Sequence, residues 1–240
     1  MRKDLVFSIL LSGLVFWSPA VRATGDCKLA LVLAIDVSGS VNWDEYRLQM
    51  RGLSEALRAA DIAHAIRFPG NKGIMATVIQ WSGEPHQRQI VPWSYLSTQQ
   101  SITEFADKID AAERSYRNFS TAIGNALIYS ASQFGHLPRT CARRAIDVSG
   151  DGRSNEGINV VEIRNSVAAS GITINGLAIK GADKELTDYY RANVIGGPNA
   201  FVLSAESFKD YPETIRRKLL REISPPLALQ SNGAPAGNSD

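Results

Sequence analysis

Short apolar runs alternate along this chain with longer segments in which apolar residues recur every three or four positions. The run over residues 29–35 is rich in branched side chains and has no polar interruption, which is typical of a central strand buried on both faces. Residues 74–81 form a second such run. Residues 87–93 can return beside it as an antiparallel edge strand, where Pro92 is tolerated near the end. Three further strands are predicted, over residues 144–149, 172–179 and 200–203.

Segments with helical periodicity lie between these strands. Asn42 or Asp44 can cap a helix over residues 45–60, whose apolar residues fall on one face. Because strands and helices alternate, we predict an α/β fold. Its sheet is doubly wound, mostly parallel and Rossmann-like, with helices on both faces and one antiparallel edge strand. The other predicted helices cover residues 98–112, 121–134, 160–170, 183–192 and 207–223.

The amino-terminal segment differs from the rest of the chain. Residues 1–23 combine a basic start at Arg2 and Lys3, an apolar core and a small-residue exit, which is typical of a secretory signal. Cleavage after Ala23 fits this pattern, and cleavage after Ala20 is the alternative. An uncleaved anchor is a further alternative, although the apolar segment is shorter than the roughly 18 residues of a membrane span. The mature protein is therefore expected to be periplasmic or secreted, without a membrane span.

After residue 224 the chain consists of prolines and small or polar residues, which predicts a disordered tail over residues 225–240. One folded domain is therefore expected over residues 24–224, and we expect it to be a monomer. Removal of residues 1–23 takes away three basic residues and one acidic residue, so the formal net charge falls from +2 to zero. This balance, without a basic stripe, argues against a nucleic-acid partner.

Polar side chains follow the first predicted strand directly. Asp36, Ser38 and Ser40 place a carboxylate and two hydroxyls on alternate residues. Hard oxygen ligands of this kind suit Mg²⁺ or another small divalent cation. Thr121, in the loop before a predicted helix, and Asp151, just after the fourth strand, are expected at the same edge. The carboxyl ends of parallel strands meet there, and ligands bind there in such folds.

These three elements resemble, in their order along the chain, the metal-ion-dependent adhesion site of the von Willebrand factor type A domain. The resemblance covers nearly all of residues 27–223. It is strongest to a bacterial group of exported type A-like proteins of unknown function, through residues 80–83 and 149–152. The chain departs from the usual pattern at Gly150, where a threonine normally precedes the aspartate.

The resemblance implies a role for each site residue. Ser38, Ser40 and Thr121 would bind the metal directly, while Asp36 and Asp151 would hold water molecules of its shell. Mg²⁺ is the expected cofactor, with Mn²⁺ or Ca²⁺ as alternatives. The remaining position would accept a carboxylate from a protein partner that presents an Asp or Glu.

The two cysteines are expected to form a disulfide, which is the usual state in an exported protein. In a type A fold the strands that carry Asp36 and Asp151 are adjacent and parallel. Cys27 lies nine residues before Asp36, and Cys141 lies ten before Asp151. Both cysteines should therefore meet at the opposite edge of the sheet, within reach of a bridge. Two buried free thiols are the alternative.

The sequence lacks the usual parts of a catalytic site. It contains no P-loop, no dinucleotide-binding glycine turn after the first strand and no nucleophile elbow. A phosphoryl-transfer site of the haloacid dehalogenase type needs a second carboxylate where Ser38 stands. We therefore expect a binding module and no enzyme. A metal-dependent hydrolase or phosphoryl-transfer enzyme, or a purely structural metal site, are the alternatives.

Several neighbouring residues have open roles at this point. Asp147 lies four residues before Asp151, about 13 Å down a strand, too far to share its cation. An internal hydrogen bond or a pair with an arginine is expected for it. Trp81 and Ser82 either rim the site or, for Trp81, belong to the core. Arg117, Asn118 and Phe119 are expected to face the ligand.

Overall fold

The computed structural model describes residues 26–68, 72–117 and 119–224. The predicted signal over residues 1–23, the predicted tail over residues 225–240 and Asn118 lie outside the described residues. No helix within the described ranges is long and apolar enough to cross a bilayer.

Within the described residues six strands form one sheet in the order β3-β2-β1-β4-β5-β6, and β2 and β3 are the one pair of neighbouring strands that is antiparallel. This arrangement confirms the predicted mostly parallel sheet with one antiparallel edge strand. The first strand is central and almost entirely buried. The strands are β1 (Cys27–Asp36), β2 (Ile74–Trp81), β3 (Gln87–Leu96), β4 (Cys141–Gly150), β5 (Ile172–Ile179) and β6 (Val202–Ala205).

Helices cover both faces of the sheet. Successive side chains of β1 point to opposite faces, so this strand contributes to the core on each side. Leu31 and Leu33 belong to the core under α1, α2, α3 and α7, whereas Val32 and Ala34 belong to the core under α4, α5 and α6. The uninterrupted apolar run of β1 therefore serves both layers. The helices are α1 (Trp43–Arg58), α2 (Ala60–Arg67), α3 (Gln99–Asp110), α4 (Ile123–Ser132), α5 (Val160–Ala169), α6 (Leu186–Tyr189) and α7 (Tyr211–Ile223).

The largest departure from the predicted elements is α2. One helix was expected over residues 45–60, but the helix breaks at Ala59, whose ψ of 139° is extended, and α2 follows at once. Ile62 and Ile66 of α2 are fully buried. The segment was too short for its periodicity to be recognised. Of the two caps proposed for α1, Asn42 is correct, since its side chain accepts hydrogen bonds from the backbone N–H groups of Asp44 and Glu45.

Other differences concern element ends. The strands β1, β3 and β4 extend beyond their predicted ranges, and β6 begins two residues late. The predicted helix over residues 183–192 is a short α6 followed by a π-helical turn, Tyr190–Val194. The predicted start of the last helix is a 3₁₀ turn, Phe208–Asp210, that precedes α7.

The register between β1 and β4 confirms the predicted disulfide. Cys27 stands directly opposite Cys141, with their Cα atoms 4.5 Å apart, and the two cysteines are bonded. Further along the same strands Ile35 stands opposite Ser149. Equal counts of residues therefore place the bridge at one edge of the sheet and Asp36 at the other.

Reduction of this disulfide should lower the stability strongly, because it closes a loop with a sequence separation of 114 residues. The chain-entropy model gives a loss of about 5 kcal/mol in the free energy of unfolding. Urea unfolding with and without reductant measures it, and thiol labelling verifies reduction. The double variant Cys27→Ser/Cys141→Ser should show the same loss and no further response to reductant. An unchanged urea midpoint after complete reduction would contradict the prediction.

Asp147 makes an internal contact, as expected, but its partner is a lysine and not the arginine that was the second alternative. It contacts Lys218 of α7, with Oδ1 2.5 Å from Nζ, and both side chains are buried. Glu222 lies 3.4 Å from the same Nζ and accepts a 2.7 Å hydrogen bond from Asn175. Burial raises the pKa of both Asp147 and Glu222, and Lys218 partly offsets that rise. One lysine thus holds two buried carboxylates and ties α7 to the sheet.

Candidate metal centre

All five predicted site residues lie at the carboxyl edge of the sheet. Asp36 is the last residue of β1, and Asp151 directly follows β4. Ser38 and Ser40 lie in the loop from β1 to α1, and Thr121 lies just before α4. Because β1 and β4 are parallel neighbours, these loops emerge side by side.

Short contacts connect four of these residues. The backbone N–H of Ser38 donates to Asp36 Oδ1 at 2.7 Å. The hydroxyls of Ser38 and Ser40 are 3.3 Å apart, and Ser40 Oγ donates to Asp151 Oδ1 at 2.6 Å. Thr121 Oγ1 lies 3.7 Å from the point that a Cβ atom on Gly152 would occupy, next to Asp151. The loops after β1 and β4 therefore bring hydroxyl and carboxylate oxygens together.

Backbone hydrogen bonds fasten the three loops to each other. The N–H of Gly39 donates to the carbonyl of Phe119 at 2.8 Å. Thr121 and Asn155 exchange two bonds of 2.9 Å each, one from the Thr121 N–H to Asn155 Oδ1 and one from the Asn155 N–H to the Thr121 carbonyl. Ser82 is buried and donates to the carbonyl of Ser120 at 3.1 Å. These contacts join the loops that carry Ser38, Thr121 and Asp151 to one another.

Two supporting residues were not identified from the sequence. The guanidinium of Arg114 donates to the carbonyls of Val37 and Ser38, at 2.9 and 3.0 Å. Gln49 of α1 donates to the carbonyl of Asp36 at 3.1 Å. Neither residue belongs to a motif. Each donates to backbone carbonyls, and because every residue has one, the sequence does not indicate which carbonyl is bound.

Tyr190 was also missed, and it explains the glycine that departs from the type A pattern. A Cβ atom on Gly150 would lie 2.6 Å from the Tyr190 hydroxyl and 2.8 Å from Asp36 Oδ2, so no side chain fits there. Both of these oxygens are buried without a hydrogen-bond partner among the described residues. The tyrosine hydroxyl thus fills the space beside Asp36 that a side chain at position 150 would take.

The electrostatics of the site favour a cation. Burial, and then repulsion from Asp151, raises the pKa of Asp36 to about 7. The pKa of Asp151 is also raised, chiefly by burial, although the hydrogen bond from Ser40 opposes this. Within the described ranges no group of three or more His, Cys, Asp or Glu residues is suited to a metal. The two carboxylates and three hydroxyls at this edge are oxygen donors of the kind that fits a hard divalent cation better than a soft one.

The raised pKa of Asp36 predicts a pH dependence. Without metal, Asp36 stays protonated in the folded state up to about pH 7, whereas in the unfolded chain it loses its proton above pH 3.8. The folded state is therefore increasingly destabilised relative to the unfolded chain as the pH rises from 3.8 to about 7. A Mg²⁺ ion held beside Asp36 would have to displace that proton, so its affinity should fall about tenfold per pH unit below about 7. Calorimetric Mg²⁺ titrations from about pH 5.5 to about pH 8 test this. Equal affinities at both ends would contradict it.

The remaining neighbours divide into core and surface. Trp81 is fully buried, which favours the core interpretation over a place on the rim of the site. Phe119 is 43% exposed, and its ring stacks on His86 with centroids 3.7 Å apart. Arg117 lies over the ring of Trp43, 4.5 Å from its centroid. Arg117 and Phe119 are therefore on the surface beside the site.

Residues 26–227 match the model of a family described as protein of unknown function (DUF1194). No curated protein sequence matches the chain.

Solved structures with the same fold include proximal thread matrix protein 1 from the mussel byssus. That protein is described with a zinc-occupied MIDAS motif, where MIDAS stands for metal-ion-dependent adhesion site. It is 19% identical with a TM-score of 0.58, and the match covers 82% of this chain and 48% of that one. A von Willebrand factor type A protein from Catenulispora acidiphila is 16% identical with a TM-score of 0.55, covering 82% and 43%. An aerotolerance-related membrane protein from Bacteroides fragilis is 19% identical with a TM-score of 0.50, covering 80% and 98%. The chain thus spans about half the length, or less, of the first two. At these identities the similarity shows a shared type A fold.

Proposed function

This chain belongs to the DUF1194 family of proteins of unknown function, and we propose that it is an exported, metal-dependent protein-binding module that captures a carboxylate of its partner. The observation that carries the proposal is the convergence of Asp36, Ser38, Ser40 and Asp151 through direct contacts, with Asp36 Oδ2 buried and without a hydrogen-bond partner among the described residues. A buried carboxylate oxygen without a partner is costly, and a cation in its surroundings offsets that cost.

Each residue of the site has a proposed part. Ser38, Ser40 and Thr121 would hold the cation directly, and Asp36 and Asp151 would hold water molecules around it. We propose Mg²⁺, with Mn²⁺ or Ca²⁺ as alternatives, while the mussel protein is described with zinc. The cation supplies an electrophilic position for an Asp or Glu of a protein partner. Arg114 fixes the backbone of the loop that carries the two serines.

Binding is proposed in preference to a purely structural cation or to catalysis. The three loops are already joined by backbone hydrogen bonds, so a cation is not needed to hold them together. Among the described residues, the groups around the site residues are backbone carbonyls and N–H groups, the amides of Gln49 and Asn155, the guanidinium of Arg114 and the hydroxyl of Tyr190. These groups include no histidine or lysine that could act as a base beside a serine nucleophile, which favours binding over hydrolysis.

Export is part of the same proposal. The disulfide between Cys27 and Cys141 suits an oxidising compartment, such as the periplasm or the extracellular space. A signal over residues 1–23, a monomeric domain over residues 24–224 and a tail over residues 225–240 complete the proposed organisation. Amino-terminal sequencing of the exported protein distinguishes cleavage after Ala23 from cleavage after Ala20.

Capture from periplasmic extract with Mg²⁺ or with EDTA tests the proposed function. A partner should be retained with Mg²⁺ and released by EDTA, and Thr121→Ala should not retain it. Thr103→Ala, at a half-buried threonine on α3, is the matched control and should behave as wild type. A partner that the EDTA sample or the Thr121→Ala protein retains equally well would overturn the proposal. Mg²⁺ that changes stability and leaves capture unchanged would indicate a structural cation.

A further inference from the structure

The edge of the sheet that carries the candidate site is bordered by exposed apolar side chains. Trp43, Phe119 and Ile158 are 42%, 43% and 40% exposed. Trp43 is the first residue of α1 and follows the loop that carries Ser38 and Ser40. Phe119 lies two residues before Thr121, and its carbonyl accepts the N–H of Gly39. Ile158 lies in the loop that follows Asp151. All three therefore belong to the segments that form the site.

The rest of the described surface has few such side chains. Phe68 and Ile128 are the other large apolar residues with comparable exposure within the described ranges. Phe68 follows α2, near the amino-terminal edge of the sheet, and Ile128 lies in the middle of α4. Large exposed apolar groups that gather around one feature mark an interaction surface, whereas scattered ones need no explanation.

A positive charge completes this border. The guanidinium of Arg117 lies over the ring of Trp43 and has no carboxylate partner among the described residues. Arg114 lies nearby, but its guanidinium is used by three backbone carbonyls. We name Trp43, Arg117, Phe119 and Ile158 the rim. The rim is apolar and cationic, and it adjoins a site that would itself hold a cation.

We propose that the rim recognises the residues on either side of the carboxylate that the partner presents. The partner is then a protein segment in which an Asp or Glu is flanked by large apolar side chains. The inference rests on the proposed function and names the partner's chemistry. Charge complementarity favours an acidic segment, since Arg117 and the proposed cation both attract negative charge. Aromatic and apolar contacts around a desolvated central pair exclude water from it, which is the usual organisation of a protein interface.

Three fluorescein-labelled peptides test this inference by fluorescence anisotropy in Mg²⁺. The first is Gly-Ser-Leu-Asp-Phe-Ser-Gly, the second replaces its Leu and Phe by Ser, and the third replaces its Asp by Asn. The first should bind wild type at least about tenfold more tightly than the second, because it buries two apolar side chains. The double variant Trp43→Ser/Phe119→Ser should lose this preference. Phe68→Ser/Ile128→Ser, with similar exposure elsewhere, should keep it.

The outcomes separate the inference from the proposed function. Equal affinity of wild type for the first two peptides, a preference that survives in the rim variant, or no binding of any peptide would overturn the inference. If the third peptide binds as tightly as the first, the carboxylate is not used and the proposed function fails, although the rim is still a binding surface. Rim-dependent sedimentation with vesicles of phosphatidylcholine and phosphatidylglycerol, without a peptide preference, would make a lipid surface the occupant. Calorimetry with Mg²⁺ alone should give equal affinities for all variants.

Discussion

We expect Asp36→Asn to abolish the stabilisation by Mg²⁺ and, without metal, to be more stable than wild type near pH 8. The amide keeps the oxygen that accepts the N–H of Ser38, but it removes the charge that faces Asp151. A pKa displaced from 3.8 to about 7 corresponds to about 4 kcal/mol. Relaxation reduces this figure, and a gain on the order of 1–3 kcal/mol is expected.

Urea unfolding with Mg²⁺ and with EDTA measures both effects of Asp36→Asn. Wild type should gain about 3 kcal/mol when Mg²⁺ is at a hundred times its dissociation constant, and the variant should gain nothing. Asp26→Asn is the control, since Asp26 is exposed and directly precedes β1, at the edge of the sheet opposite the site. Unchanged Mg²⁺ stabilisation in Asp36→Asn would show that Asp36 is not part of a metal site.

The second large effect is expected at Lys218. Replacement by Met fills similar space but leaves Asp147 and Glu222 buried without their shared cation. Removing one partner of a buried ion pair costs about 3–5 kcal/mol. The loss should be largest near neutral pH and smaller in acid, because both carboxyls then take up protons and lose their charge. Their raised pKa values place that change above the usual range for carboxyls.

Two comparisons make the Lys218 prediction specific. Lys184→Met removes an exposed lysine and should change the urea midpoint little. The triple variant Lys218→Met/Asp147→Leu/Glu222→Gln removes all three charges and keeps an oxygen that can accept from Asn175. It should recover most of the lost stability, since neutral replacement of buried ion pairs is often tolerated. Equal stability of Lys218→Met and wild type would show that the buried charges are already neutral.

The sheet and the position of the site were predictable because each depends on local chemistry that the sequence carries. The apolar run of β1 identifies a buried central strand, and the polar residues after it can only lie at its carboxyl edge. The disulfide followed from counting residues back from Asp36 and Asp151 once adjacent parallel strands were assumed. Hydrophobic periodicity and residue spacing are read directly from the sequence, so predictions based on them need no knowledge of the tertiary contacts.

The features that were missed depend on tertiary contacts between distant segments. Arg114 acts on backbone carbonyls, and Tyr190 occupies space that Gly150 leaves. The glycine at position 150 does not indicate which residue occupies the space beside it. Lys218 stands on an amphipathic helix, where a lysine is normally assigned to solvent. Its burial depends on Asp147 of β4, which nothing in the sequence connects with it, as well as on Glu222 four residues further along its own helix. No glycine or proline beside Ala59 indicates that the helix breaks there.

The disulfide and the candidate site lie at opposite ends of the same two strands, and this arrangement has a mechanical consequence. A partner that pulls on the loops after Asp36 and Asp151 applies force along β1 and β4. The covalent bridge at Cys27 and Cys141 prevents the two strands from sliding past each other. A load applied to either loop can then pass along the backbone of its strand and through the bridge, so the hydrogen bonds between the strands do not have to carry it. The central strand pair is thus suited to bear tension between the partner and the amino-terminal end of the domain.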